Sequence, residues 1–211
     1  MTLASKHVLI TAGPTWEPID PVRVIANRSS GRQGFAIAAA AAEAGARVTL
    51  VAGPVCLGTP AGVDRIDVET AEQMVNAVFN ALPADVAILV AAVADWRVEA
   101  SATKLKKLDG PPRLTFAPTR DILAELGSSE QRPRLLIGFA AETDNVVRYA
   151  SAKRETKGAD WIVANDVSGD VMGGHRNQVH LVTADGVEIW PEAAKDEVAR
   201  HLIARIAEAL G

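Results

Sequence analysis

Asn27, Arg28, Ser29, Ser30 and Gly31 make the stretch of this sequence best suited to chemistry: an amide, a guanidinium, two hydroxyls and a glycine just ahead of an Ala-rich run. Ser30 reads as the N-cap of a helix. Gly31 and Gly34 remove side chains where a ligand or a sheet must come close. Free backbone N–H groups and the helix dipole then form an anion site, to which the hydroxyls of Ser29 and Ser30 add donors. The spacing is not the dinucleotide fingerprint, which sets three glycines within six residues directly after a strand. The competing reading is a capped helix behind an idle loop.

A second set of groups is cationic. Lys104, Lys106 and Lys107 lie in a polar arm, and Lys153 and Lys157 stand four apart on one helix face. Ammonium groups gather around a polyphosphate as movable point charges, or they are solvated surface lysines. Asp95 follows an apolar run and so stands just beyond a strand's carboxyl end, where open α/β sheets bind ligands. Tyr149 and Lys153 match the Y-x-x-x-K spacing of short-chain dehydrogenases, but Gly13-Pro14-Thr15 supplies no glycine-rich loop to go with it. His7, His175, His180 and His201 show no metal-ligand spacing with Cys56. There is no G-x-S-x-G elbow and no Walker A motif. A bound polyphosphate would bring Mg²⁺, held loosely by carboxylates and phosphate oxygens.

Buried strands are expected at His7 to Ile10, Arg47 to Ala52, Arg65 to Val68, Asp85 to Val90, Leu135 to Ala140 and Asp160 to Ala164. Helices are expected at Phe35 to Ala44, from Ala71 to Leu82 behind a Thr70 cap, after a Thr119 cap with Asp121 in the first turn, at Asn145 to Lys157 and at Ala193 to Leu210. The segment from Thr11 to Gly34 reads as one long functional loop between strand and helix. The arm from Arg97 to Arg113 reads as a mobile lid, with a short strand at Leu114 to Phe116. A glycine-bearing loop is expected from Ser168 to Asn177. Ala184-Asp185-Gly186 between two apolar runs, Gln178 to Thr183 and Val187 to Trp190, reads as a hairpin turn. The pattern predicts a single α/β domain over residues 1–211: a Rossmann-like, doubly wound, mainly parallel sheet with an antiparallel hairpin at one edge.

The chain has 211 residues, enough for one large core, and a net charge of −4, which gives no general attraction to nucleic acid or a membrane surface. No apolar run reaches the ~18 residues of a membrane span. A single cysteine excludes an internal disulfide framework and suits a reducing, cytoplasmic compartment.

The run GPTWEPIDPVRVIANRSSGRQG resembles the signature of phosphopantothenoylcysteine synthetase, which in many bacteria is the C-terminal half of a bifunctional coenzyme A biosynthesis flavoprotein. The resemblance continues through Ala91-Ala92-Val93-Ala94-Asp95-Trp96, Lys104-Leu105-Lys106-Lys107, Asp121-Ile122-Leu123, Gly138-Phe139-Ala140-Ala141-Glu142-Thr143, Lys153 with Lys157, and Ala164-Asn165-Asp166. It implies a CTP-dependent ligase joining 4′-phosphopantothenate to L-cysteine through an acyl-cytidylate. Asn27 matches the residue acting on that intermediate, and Lys104 the arm lysine required for catalysis. Ala92, Asp95, Lys104, Thr119, Arg120, Asp121, Ile122, Leu123, Phe139, Lys153 and Lys157 match nucleotide-contacting positions. Gly13, Thr15, Asn27, Ser29, Ser30 and Gly31 are the expected acid- and phosphate-binding positions. Where the family often has Pro-Asp-Ile, this chain has Arg120-Asp121-Ile122. The resemblance also implies a homodimer, with the Gln178 to Trp190 hairpin as a candidate contact. It further implies an FMN-dependent decarboxylase half as a partner. An NAD(P)-dependent reductase and a non-catalytic nucleotide-binding module are the competing readings.

Overall fold

The computed structural model describes residues 2–166 and 176–211. In chain order the elements are β1 (His7–Ala12), β2 (Trp16–Pro18), β3 (Val24–Ala26), α1 (Arg32–Glu43), β4 (Arg47–Ala52), β5 (Val63–Asp67), α2 (Ala71–Asn80) and β6 (Val86–Leu89). They continue with β7 (Trp96–Val98), β8 (Phe116–Pro118), α3 (Ile122–Gly127), β9 (Leu135–Glu142), α4 (Val146–Lys157) and β10 (Trp161–Asp166). The last are β11 (Arg176–Asn177), β12 (Val179–Val182), β13 (Val187–Ile189), β14 (Ala193–Ala194) and α5 (Lys195–Leu210). The loop expected from Ser168 to Asn177 lies outside the described residues, except for Arg176 and Asn177.

Among the described residues the main sheet runs β13-β12-β10-β9-β6-β1-β4-β5. The strands from β5 to β10 are parallel. Strands β12 and β13 add the antiparallel edge, turned at the Asp-Gly site where Thr183 N–H donates to Gly186 C=O at 2.9 Å. The apolar runs are continuous rather than alternating because both sheet faces are covered. In β1, Val8, Ile10 and Ala12 join the core shared with α1 and α5, while Leu9 joins the one built with α2, α3 and α4. Thr70 caps α2 as expected, in a full capping box with Gln73.

Three local expectations are corrected. The segment after β1 is not one loop: β1 runs on through Thr11 and Ala12, and β2 and β3 pair as an antiparallel ribbon. The N-cap of α1 is Gly31, at φ +73°, and no side chain caps it. The hydroxyl of Ser29, not Ser30, reaches back to accept from Gly31 N–H at 3.3 Å. The N-cap of α3 is Asp121, which accepts from Ala124 N–H at 3.0 Å; the helix begins at Ile122, so Thr119 stands two residues ahead of the cap.

Gly34 sets how closely α1 lies on the sheet. A Cβ there would stand 2.5 Å from the Cβ of Ala12 and 3.3 Å from the Thr11 carbonyl oxygen. Only a glycine lets the first turn of α1 seat against the end of β1, which fixes the helix N-terminus beside the strand's carboxyl end.

Candidate active site

A cavity of about 620 Å³ opens over the carboxyl ends of β1, β6 and β9. Three segments build it. The first is Asn27 to Gly34, the entry into α1. The second is Leu89 to Asp95, the continuation of β6. The third is Thr119 to Leu123 with Phe139 to Ala141 and Lys153.

The β6 continuation is tied to β1 from behind. Ala92 N–H donates to Gly13 C=O at 2.9 Å, Ala91 N–H to Thr11 Oγ1 at 3.2 Å, and Ala94 N–H to Thr15 Oγ1 at 3.0 Å. Thr15 is fully buried and lies behind the wall, outside the cavity lining. Asn27 crosses the mouth, its amide donating to Val93 C=O at 2.9 Å. Thr119 closes the other side: its hydroxyl donates to Ala94 C=O at 2.5 Å, and its N–H donates to Asp95 C=O at 3.0 Å. These bonds hold the site's irregular backbone without any regular ladder.

At one end stands a charged group of known partners. Lys153 Nζ donates to Phe139 C=O at 2.8 Å. Burial pushes the Lys153 ammonium below the usual lysine range, against the charges of Asp121, Glu142 and Asp95, which favour protonation. Lys157 Nζ pairs with Asp121 Oδ2 at 2.6 Å and does not line the cavity. Burial alone would raise the Asp121 carboxyl, but the Lys157 bond, the Ala124 N–H and the two lysine charges outweigh it and hold the group below the usual carboxylate range. The Phe139 ring is half-buried in the lining.

Arg120, the departure from the family's proline, lines the cavity and is paired with carboxylates. It forms a salt bridge with Glu125 and donates to Glu72 Oε1 at 3.1 Å, and these carboxylates raise its pKa. Exposed pairs of this kind contribute little. Arg120→Ala is therefore expected to leave the thermal unfolding midpoint and nucleotide affinity essentially unchanged. A loss of nucleotide affinity would show that the guanidinium leaves its carboxylates for the ligand.

The arm carrying Lys104 is anchored rather than free along its whole length. Asp20, a buried carboxylate, accepts from Val22 and Arg23 N–H at 2.9 and 3.0 Å and from Leu105 N–H at 3.2 Å, and forms a salt bridge with Arg23. Arg23 Nη2 donates onward to Leu105 C=O at 2.8 Å, and Ser101 N–H donates to Ile19 C=O at 2.9 Å. The Arg23 bond is the main reason the Asp20 carboxyl is held far below the usual range. Lys104 itself is exposed and does not line the cavity. The clamp puts it one residue from a fixed point, so its side chain rather than the arm supplies the reach.

The cavity thus gathers Gly13, Asn27, Ser29, Ser30, Gly31, Ala92, Asp95, Thr119, Arg120, Asp121, Ile122, Leu123, Phe139 and Lys153 from the sequence expectation. Thr15, Lys104 and Lys157 stand outside its lining. It adds Arg32, Gln33 and Lys195, which sequence reasoning passed over. One signal for them was available: Arg32 and Lys195 are the first residues of α1 and α5, where a cation opposes the helix dipole.

A family model described as the C-terminal domain of DNA/pantothenate metabolism flavoproteins matches residues 3–210. The coenzyme A biosynthesis bifunctional protein CoaBC of Escherichia coli is 45% identical over 211 residues, covering 97% of this chain and 52% of that protein. The protein of the same name from Vibrio parahaemolyticus is 42% identical over 212 residues, covering 98% of this chain and 53% of the relative. The chain therefore spans about half the length of these curated relatives. A crystal structure of the C-terminal domain of a CoaBC protein superposes with a TM-score of 0.84 at 42% identity, covering 99% of this chain and 97% of that one. A DNA/pantothenate metabolism flavoprotein from Streptococcus pneumoniae shares the fold at a TM-score of 0.84 and 21% identity, covering 97% of this chain and 100% of that one.

Proposed function

Since this chain belongs to the family of DNA/pantothenate metabolism flavoprotein C-terminal domains, we propose that it is a CTP-dependent ligase joining 4′-phosphopantothenate to L-cysteine. The observation that carries the proposal is that Asn27 and the uncapped N-terminus of α1 line one cavity with Asp95, Phe139 and Lys153. One end of that cavity is suited to an acid and its phosphate, the other to a nucleotide.

In the first step a carboxylate oxygen of the acid attacks the α-phosphorus of CTP. The new O–P bond replaces the bond to the leaving pyrophosphate and gives an acyl-cytidylate. Two anions must approach each other, so preorganised cations and amide donors dominate the barrier. Lys153 and Lys104 supply cations, and the N–H groups at the start of α1 supply donors. Asp95, exposed at the wall, is a carboxylate suited to a Mg²⁺ ion carried by the triphosphate, and that ion would offset phosphate charge.

In the second step the cysteine amine attacks the acyl carbon. The C–N bond forms, CMP leaves on its phosphate oxygen, and the amine gives up a proton. The Asn27 amide, already held as a donor at the mouth, can turn from Val93 C=O to the acyl oxygen as negative charge grows there.

The reading has a direct test in pyrophosphate release from CTP with phosphopantothenate present, cysteine first absent and then added. Release that requires the acid and rises with cysteine supports the two-step ligase. CTP binding without release would leave only a nucleotide-binding module. For the arm, Lys104→Gln is expected to slow pyrophosphate release at least about tenfold, ~1.4 kcal/mol of barrier. Unchanged release would remove Lys104 from the first step.

Two partners belong to the same proposal. One is a second copy of this chain. The ribbons β2–β3 and β7–β8 expose Trp16, Val24, Trp96 and Phe116, which together favour a homodimer contact there over the Gln178 to Trp190 hairpin, although Ile189 is exposed as well. The other is an FMN-dependent decarboxylase half, in keeping with the bifunctional names of the relatives. No described helix is long and apolar enough to cross a membrane, and a cytoplasmic location fits a reaction among soluble metabolites.

A further inference from the structure

We infer that Asp20 is the positioning residue for Lys104: from the tip of the β2–β3 ribbon it holds the peptide bond that follows Lys104, and so limits where that one arm lysine can carry its charge. This inference deepens the ligase reading and rests on it, since the part of Lys104 in the first step belongs to that reading.

The ribbon is a fixed post. At its base the buried carboxylate of Glu17 accepts from Ala71 N–H, at the start of α2, at 2.8 Å, and Trp16 N–H donates to Glu69 C=O at 2.7 Å. The two strands pair from Trp16 with Ala26 to Pro18 with Val24. Asn27 follows β3 directly, and its amide is tied to Val93 C=O. The far end of the ribbon is a turn in which Ile19 N–H donates to Arg23 C=O at 2.8 Å.

Asp20 sits in that turn with its side chain out of solvent. Its Oδ1 accepts from Val22 and Arg23 N–H and shapes the turn, while Oδ2 takes the Arg23 guanidinium and the N–H of Leu105. Leu105 N–H and the Lys104 carbonyl belong to one rigid peptide plane. The next carbonyl, that of Leu105, accepts from Arg23 Nη2, so the peptide groups on both sides of Leu105 are held. The other end of the stretch is pinned by Ser101 N–H on Ile19 C=O. Inside it, Ser101 Oγ donates to Thr103 C=O at 2.7 Å and accepts from Thr103 N–H at 3.3 Å. Lys104 therefore lies within a stapled stretch. Lys106 and Lys107 lie beyond it, on the way to Leu108, which is 99% exposed.

Only an ionised carboxylate accepts at all of these places. An amide of the same shape has one accepting oxygen and two N–H groups, which would meet donors. Without the staple Lys104 moves with its backbone, and a cation that is not held in place loses the advantage of proximity and of preorganised charge.

The test compares the unaltered chain with Asp20→Asn, Lys104→Gln and the double variant in pyrophosphate release from CTP and phosphopantothenate. Asp20→Asn is expected to lower kcat for release at least about tenfold while KM for CTP stays within about threefold. The double variant should be as slow as Lys104→Gln alone, within about twofold, because a misplaced lysine and a missing one cost the same step once. Losses that multiply in the double variant would overturn the inference, since that marks a structural role independent of Lys104. Hydrogen exchange separates the inference from the ligase reading: residues 101–105 should exchange at least about tenfold faster in Asp20→Asn. Unchanged exchange overturns the inference even if the ligase is active. Faster exchange supports Asp20 as the anchor of Lys104 even if the unaltered chain releases no pyrophosphate. Should Asp20→Asn not fold, Ser101→Ala loosens the same staple without removing a charge. It is expected to slow release about threefold, and unchanged release would overturn the inference.

Discussion

Lys153→Met is expected to lower kcat/KM for the nucleotide by at least about a hundredfold, near 2.7 kcal/mol of transition-state stabilisation. Met keeps the length and apolar stem of the side chain, so the change removes charge and little volume. Two things are lost. Phe139 C=O loses a donor at 2.8 Å, and the field of Glu142 and Asp95 loses a nearby cation, while Asp121 keeps Lys157. An ordinary hydrogen bond contributes only ~1 kcal/mol net, so folding stability should fall modestly while nucleotide turnover collapses. Steady-state kinetics beside a denaturation curve checks this. Near-normal turnover with clearly lowered stability would reduce Lys153 to a strut under the Phe139 backbone.

The second large effect is expected at a position with no reactive group. Gly34→Ala should destabilise the fold by about 1–3 kcal/mol, the range for overpacking a core. Two terms oppose each other. Replacing glycine inside a helix gains up to ~1 kcal/mol of helix propensity. The new Cβ would stand 2.5 Å from the Cβ of Ala12, on backbone that cannot swing aside. The clash wins, and its relief moves α1 away from β1, taking Ser29, Ser30 and Gly31 with it. Urea denaturation and pyrophosphate release should therefore both fall. A variant as stable as its parent would show that α1 can be displaced freely, and the close-packing account of this glycine would be wrong.

Local chemistry made much of the molecule legible from residues alone. The apolar runs at His7, Arg47, Val86, Leu135 and Trp161 are five of the six parallel strands, because burial on both faces leaves few polar positions to confuse the pattern, whereas β5 at the edge is polar and largely exposed. The Asp-Gly hairpin and the Thr70 capping box follow from bonds formed within a few residues. The run from Asn27 to Gly31 marks the entry into a helix, and it lines the cavity.

Other features depend on groups far apart in sequence, and only the tertiary structure decides them. Thr15 carries a hydroxyl suited to a ligand, yet it is spent on Ala94 N–H because β1 and β6 are neighbours. Thr119 stands two residues ahead of the α3 cap, where its N–H and hydroxyl bond to the carbonyls of Asp95 and Ala94, and Asp121 takes the cap. Asp20 and Arg23 read as loop residues until the arm folds back and offers Leu105 to them. Arg32 and Lys195 are 163 positions apart by their numbers, and no local pattern joins them. The packing of α1 against α5 brings both to the lining of one cavity.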